Sequence, residues 1–144
     1  MLDLFHNAVP VALINNNAAV AATQQSNYVD LEGYLGVIFV LIADGNTGDA
    51  TNYFTPTVQE ATATPGSTSS YSAVAAGDLF GSWTVLNTTN EVIDHVGYRG
   101  NSRYVNVALT ETLTASQDVT LIALLIPGRK NPSNSDSPTT GTVS

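Results

Sequence analysis

Short apolar stretches separated by polar residues run along most of the chain, and their spacing predicts strands rather than helices. The clearest alternation spans Arg103 to Leu113, where three apolar residues point to one side: Val105, Val107 and Leu109. The residues between them point to the other side: Tyr104, Asn106, Ala108 and Thr110. After a polar turn, Asp118 to Ile126 is apolar again, and Pro127–Gly128 ends it. We predict that these two segments pair as an antiparallel hairpin.

A longer apolar stretch, Tyr28 to Ala43, predicts a strand, a break at Gly33 and then a central strand. The run YLGVIFVLIA is apolar on both faces, and its β-branched and aromatic residues favour a strand. A strand that is apolar on both faces needs cover on both sides. We expect a second sheet on one side and a neighbouring subunit or a loop on the other.

Weaker patterns supply the remaining elements. Further strands are predicted at Val11–Ile14, Tyr53–Glu60 and Val92–Tyr98. Pro56 indicates an edge or a bulge in the second of these strands. Asparagine side chains favour turns, so we predict a turn or loop at Asn15–Asn17. A single short helical turn is predicted within Ala73–Phe80, and Ala61–Ser72 is predicted to be a surface loop.

The strand pattern predicts an all-β chain with a single domain. Seven or eight short strands in 144 residues fit a β-sandwich or a jelly-roll-like barrel. Residues 1–10 are predicted to be an extended N-terminal arm and residues 11–128 the sandwich domain. Residues 129–144 are rich in Ser, Thr, Pro and Asn, so they predict an extended C-terminal tail.

Charge and composition exclude several functions. The chain has four Lys and Arg against twelve Asp and Glu, which gives a net charge of −8. Nucleic acid and anionic membranes attract clustered cations, so neither is an expected partner. The longest apolar run, Tyr34–Ala43, is about half the length of a membrane-spanning helix, and we expect a soluble protein. The absence of cysteine excludes disulfides and thiolate metal sites.

No motif for catalysis or cofactor binding stands out, so we expect neither an enzyme nor a cofactor. On a strand, Asp94 and His95 point to opposite sides, which prevents a base–orienter pair, and His6 has no nearby partner. The turn Asp44–Asp49 resembles a calcium loop but lacks the ligands that an EF-hand needs. Any two of the twelve acids could meet in the fold, so a glycosidase pair stays open.

The basic residues are concentrated in the last third of the chain: Arg99, Arg103, Arg129 and Lys130. In so acidic a protein these cations are our candidates for partner binding, because Arg forms bidentate contacts with carboxylates. Pairing with acids of the same chain is an equal alternative at this point.

The segment from Val96 to Pro132 resembles small structural proteins of tailed bacteriophages. The matching residues are Gly97, Tyr98, Gly100, Arg103, Tyr104, Val105, Ile122 to Leu125, Gly128 and Arg129. The aliphatic stretch from Tyr28 to Gly45, which ends in a glycine turn, fits the same pattern. Together these stretches place about two-thirds of the chain within the resemblance, whereas the loop 61–77 and the long tail depart from it.

The resemblance implies a virion protein, a capsid decoration or cement protein on the outer capsid surface, made in the host cytoplasm. Its expected partners are the major capsid protein and further copies of itself, as a dimer or trimer. Such a role needs buried area, extended arms and many copies rather than catalytic groups. The alternatives are a head–tail neck or tail component, and a carbohydrate- or receptor-binding β-sandwich module that uses Trp83 or Tyr71.

Overall fold

The computed structural model describes residues 8–20, 23–44, 51–66, 70–86, 91–113, 117–128 and 140–141. Its strands, in chain order, are β1 (Val9–Val20), β2 (Gln24–Gln25), β3 (Tyr28–Asp30), β4 (Tyr34–Asp44), β5 (Tyr53–Ala61), β6 (Ser72–Ala73), β7 (Leu79–Phe80), β8 (Val92–Tyr98), β9 (Tyr104–Thr112), β10 (Gln117–Pro127) and β11 (Thr140–Gly141). A 3₁₀ turn, Ala76–Asp78, lies between β6 and β7, which confirms the predicted helical turn.

The strands form two antiparallel sheets that pack face to face. The first sheet has the order β1-β10-β4-β8-β7, and the second has the order β11-β3-β9-β5-β6, with β2 also paired to β9. The pairs β1–β10, β3–β9, β4–β8 and β5–β6 are nested within one another along the chain. This nesting is the strand order of a jelly roll. The all-β prediction is confirmed as a sandwich of two sheets, which do not close into a barrel within the described residues.

The predicted hairpin between the last two long strands is wrong. β9 lies in the second sheet between β3 and β5, whereas β10 lies in the first sheet between β1 and β4. Each of these strands turns an apolar side toward the same core, so the connection between them crosses from one sheet to the other. The alternation predicted for β9 is confirmed, since Val105, Val107 and Leu109 are all buried, and β10 ends at Pro127.

The predicted break at Gly33 and the central strand after it are confirmed. Gly33 has a φ of +86°, which glycine adopts without strain. The backbone N–H of Tyr34 donates to the carbonyl of Leu31 at 2.9 Å and closes the turn. β4 then runs between β10 and β8, so it has a hydrogen-bonded neighbour on each side.

The N-terminal strand extends further than predicted. β1 begins at Val9, inside the range predicted as an arm, and continues through Asn15–Asn17, where a turn was predicted. The turn prediction is wrong because β10 offers a continuous partner strand. Irregular pairing with β10 accommodates the asparagines, with register shifts after Ala12, Ile14 and Asn17. In the predicted tail, Thr140–Gly141 pairs with β3, and residues 1–7, 129–139 and 142–144 lie outside the described residues.

The hydrophobic core lies between the two sheets. The first sheet contributes fully buried side chains from its three central strands: Val37, Phe39 and Leu41 from β4, Val96 from β8, and Val119, Leu121 and Leu125 from β10. The second sheet contributes Val105, Val107 and Leu109 from β9, the residues that the alternation placed on one side. Phe54 from β5 and Leu86 complete this layer. Burial on this scale is the main source of the stability of the domain.

Replacing Leu113 by asparagine is expected to stabilise the protein. Leu113 follows β9 with a φ of +57°, a strained backbone conformation for leucine, and its side chain is 69% exposed, so packing does not offset the strain. Asparagine tolerates this conformation, and we expect a gain of about 0.5–1 kcal/mol in the free energy of unfolding, measured by urea denaturation. The same substitution at Leu35, which is 66% exposed within β4, serves as the control. An equal gain at both positions would contradict the strain argument.

Candidate interaction surface

The first sheet carries a second apolar face on the side away from the core. Successive side chains of a strand point to opposite sides, so the residues between the core positions face outward. We call this surface the outer face; its central residues are Pro10, Ala12, Ile38, Val40, Ile42, Ile93, Ile122, Leu124 and Ile126. Three large side chains on or beside this face stay well exposed: Leu35 at 66%, Phe80 at 58% and Ile93 at 69%.

Strand pairing arranges these residues in rows across the sheet. One row is His95, Val40, Ile122 and Ala12. The next row toward the end of β8 is Phe80, Gly97, Ile38, Leu124 and Pro10. The row on the other side of His95 is Ile93, Ile42 and Thr120. The predicted apolar strand pattern at Tyr34–Ala43 thus belongs to a face that extends over four strands.

Two glycines create a cleft in the outer face. Gly36 and Gly97 form its floor, and Ile38, Phe80 and Ile126 are among its walls, around a volume of about 540 Å³. A Cβ on Gly36 would collide with the backbone carbonyl of Tyr98, so this position has room only for glycine. A Cβ on Gly97 would meet the Phe80 side chain at 3.3 Å, which is tight but involves a side chain that can move. We call this feature the apolar cleft.

Arg99 borders the apolar cleft and has no carboxylate partner among the described residues. Its guanidinium lies over the ring of Phe80, 4.4 Å from the ring centroid, and Nη2 donates to the carbonyl of Gly77 at 3.1 Å. The backbone N–H of Arg99 donates to the carbonyl of Asp78 at 3.0 Å. The side chain is therefore held in place by a cation–π contact and a carbonyl, and its charge remains available to a partner.

Arg103 is paired within the chain. Its Nε and Nη2 donate to the two carboxylate oxygens of Asp30 at 2.8 and 2.7 Å, and Nη2 also contacts the carboxylate of Glu32. Burial by itself raises the pKa of Asp30, but the hydrogen bonds from Arg103 and from the backbone N–H of Glu32 outweigh it and lower that pKa. For Arg103 the intramolecular alternative is the one observed, and Arg129 and Lys130 lie outside the described residues.

The two arginines share a second, more polar cleft beside the first. This cleft of about 460 Å³ is lined by Glu32, Leu35 and residues 99–103. It lies at the end of the sandwich where the turn after β3 meets the connection between β8 and β9. The structure thus brings Arg99 and Arg103 to one end of the molecule, with the polar cleft between them and the apolar cleft next to Arg99.

Stability is expected to fall in acid partly through Asp30. Because its folded pKa lies below the ordinary value of 3.8, the carboxylate stabilises the fold above that pH, and this contribution is lost as the pH drops through the folded pKa. Urea midpoints measured from about pH 7 down to about pH 2 should decline less steeply in Asp30→Asn than in the unchanged protein. Parallel curves for the two proteins would show that the Arg103 pair contributes nothing.

Other candidate groups are committed to structural contacts. The Asp94 carboxylate accepts from the backbone N–H groups of Thr84 at 2.6 Å and His95 at 2.7 Å, and no side-chain bond joins Asp94 to His95. Trp83 packs against the main core, and Tyr71 packs against a small cluster formed by Tyr28, Ala61 and Tyr104. Both Trp83 and Tyr71 are partly exposed. His6 and the turn 45–49 lie outside the described residues.

The described residues contain neither a metal cluster nor a membrane-spanning helix. Across the described ranges, no three His, Asp or Glu side chains converge as a metal site would require. In the same part of the chain, no helix has the length and apolar character to span a bilayer. In comparisons with protein families, characterised proteins and solved structures, none matches this chain.

Sequence reasoning missed the residues that make the outer face distinctive, namely Gly36, Gly97, Phe80 and Ile93. One signal was available, since a strand that is apolar on both faces predicts an external cover. The cleft itself depends on Gly97 of β8 lying opposite Ile38 of β4, two residues from Gly36, and that register is set by the pairing of β4 with β8. No pattern along the chain reports it.

Proposed function

We propose that this protein is a structural component of a virion, a decoration or cement protein that binds the major capsid protein and stabilises the shell. One observation carries the proposal: a jelly-roll sandwich presents an apolar face and cleft on an otherwise acid-rich chain. Contiguous exposed apolar surface of this kind marks interaction sites in soluble proteins. The resemblance to small phage structural proteins supports the setting.

The physical requirements of the role match the described residues. A decoration protein occupies many equivalent positions, so modest binding at each site sums to a large effect on the particle. The role requires a surface for contact with the capsid and extended arms at the ends of the domain. It does not require a cofactor. Arg99, which lacks a carboxylate partner among the described residues, offers a specific polar contact at the rim of the apolar cleft.

Copy number on the particle tests the proposal against its main alternative. Virions purified from lysates of the source would be analysed by quantitative mass spectrometry, and the protein located by immunogold electron microscopy. Hundreds of copies over the shell are expected, because decoration follows the capsid lattice. Six or twelve copies at one vertex would support the neck or tail alternative instead, and absence from purified particles would overturn any virion role.

Deleting residues 129–144 is expected to weaken attachment to the shell. The predicted tail carries Arg129 and Lys130, two of the four basic residues in the chain. We expect reduced occupancy and a lower heat-disruption temperature of particles decorated with the truncated protein, measured by sedimentation of particles and by calorimetry. A deletion of residues 142–144 alone, which keeps β11, is the control. Unchanged occupancy after the longer deletion would show that the tail does not contribute to attachment.

A further inference from the structure

We propose that the outer face binds a second copy of the same chain, face to face. The two-fold axis lies between the two sheets, at the level of His95, and runs at right angles to β8. The inference concerns the free protein, since one face cannot bind the capsid and a second copy at the same time, and it goes beyond the proposed function. It rests on the order of residues along the outward side of β8 and on the rows that the other strands add to it.

The outward positions of β8 and its flanks read Glu91, Ile93, His95, Gly97 and Arg99. In a two-fold interface, if residue i contacts residue j of the other copy, then j contacts i. An axis at the level of His95 places each Ile93 over the Gly97 of the second copy and each Glu91 over its Arg99. Every contact away from the axis therefore occurs twice.

The shapes of these positions are complementary. Ile93 projects from the sheet and is 69% exposed. Gly97 has no side chain and forms the floor of the apolar cleft. In the proposed register, Ile93 of one copy enters the apolar cleft of the other, beside Phe80. Among the described residues of the same chain, none covers Ile93 and none fills the apolar cleft.

The charges are complementary in the same register. Glu91 is exposed at one end of β8, and Arg99 lies at the other end, about 27 Å away for eight residues of strand. On β10, Asp118 lies at the same end as Glu91. The outward positions between these ends carry no acidic residue, lysine or arginine over 36–42 and 120–126. The two-fold rotation places the end of the face with Glu91 and Asp118 over the Arg99 end of the other copy. This charge complementarity favours a second copy as the occupant.

The neighbouring strands fit the same axis. Val40 and Ile122 share the row of His95, so each meets its own counterpart at the axis. Ile38 lies in the row of Gly97 and Ile42 in the row of Ile93, so these two isoleucines oppose each other across the interface. Stacked sheets align within about 30°, which the natural twist of two copies permits.

The expected affinity is modest. The face covers about 20 Å across four strands and about 27 Å along them, which is roughly 500 Å² in projection for each copy. This area is at the low end for specific interfaces, so we expect a dissociation constant in the micromolar range. Such a dimer would form on concentration and separate on dilution.

A charge exchange tests the register directly. Sedimentation velocity of the full chain from about 1 µM to about 1 mM should show a reversible dimer. Glu91→Arg and Arg99→Glu each create two like-charge contacts, and each should weaken dimerisation at least about tenfold. The double variant restores opposite charges at both contacts and should return the dissociation constant to within about threefold of the original.

A second pair of variants tests the fit of Ile93 in the cleft. Ile93→Ser removes the projecting side chain and Gly97→Val fills the floor, and each should weaken the dimer about tenfold or more. We expect both variants to fold, since Ile93 is exposed and Phe80 can move aside at Gly97, and circular dichroism would check this. Leu113→Ser, an equally exposed position at 69% after β9, should leave dimerisation unchanged.

Contact at the axis has an independent readout. The chain has no cysteine, so His95→Cys introduces a single thiol. A short bis-maleimide should link two copies of His95→Cys efficiently and two copies of Leu113→Cys poorly.

Two outcomes would overturn the inference. One is a protein that stays monomeric up to about 1 mM. The other is a dimer that is insensitive to both charge reversals and to Ile93→Ser. Because these measurements use the purified chain, they can fail while the protein is still found on virions, and the two proposals are judged separately.

Discussion

Phe39→Ala is expected to lower the free energy of unfolding by about 3–5 kcal/mol, because it leaves a cavity in the most enclosed part of the core. Phe39 is 0% exposed, and its strand β4 is paired on both sides. Its neighbours in the ladders are Ala123 and Val96, both fully buried, so the space cannot be refilled by solvent or by a mobile side chain. A loss this large is a substantial part of the stability of an ordinary domain.

Phe80→Ala provides a matched control for that experiment, since the same atoms are removed from a ring that is 58% exposed. We expect a loss of less than about 1 kcal/mol, mostly from the contact with Arg99. Chemical denaturation with fluorescence of Trp83 would measure both variants. Equal losses at the two positions would mean that the core does not lie between the sheets as described.

Gly36→Ala is expected to lower the free energy of unfolding by about 2–3 kcal/mol, although alanine usually suits a strand better than glycine does. The added Cβ would collide with the carbonyl of Tyr98 on the neighbouring strand, and backbone atoms cannot move aside locally. Gly97→Ala is the control, because its Cβ meets only the Phe80 side chain. Stabilisation at Gly36 would show that β4 and β8 are further apart than the structure places them.

Strand positions follow closely from the sequence, whereas strand partners do not. Alternation at Val105, Val107 and Leu109 identifies the core side of β9, since side-chain direction is a local property of extended chain. The choice of neighbour depends on how both faces of every strand are satisfied at once. The short connection after Leu113 suggested a hairpin, but the two strands it joins lie in different sheets.

The candidate surface was predictable in part. The doubly apolar stretch at Tyr34–Ala43 indicated an external cover, and the cluster of basic residues indicated Arg99 and Arg103. Their different roles depend on contacts from distant segments. Asp30 and Glu32 neutralise Arg103, whereas Arg99 contacts Phe80 and Gly77 and no acid in the described part of the chain. Sequence separation conceals such contacts, because they join residues as much as 73 positions apart.

The nested strand order has a consequence for the time at which the fold can form during synthesis. β9 and β10, the last two long strands to be made, are each flanked by a strand on both sides. Until they leave the ribosome, β1 and β4 have no strand between them, and neither do β3 and β5. Until then, four strand edges have unpaired backbone hydrogen-bonding groups, and such edges can pair with strands of other chains. We expect this protein to complete both sheets only after translation of β10, and nascent chains crowded on one message to be its most aggregation-prone form.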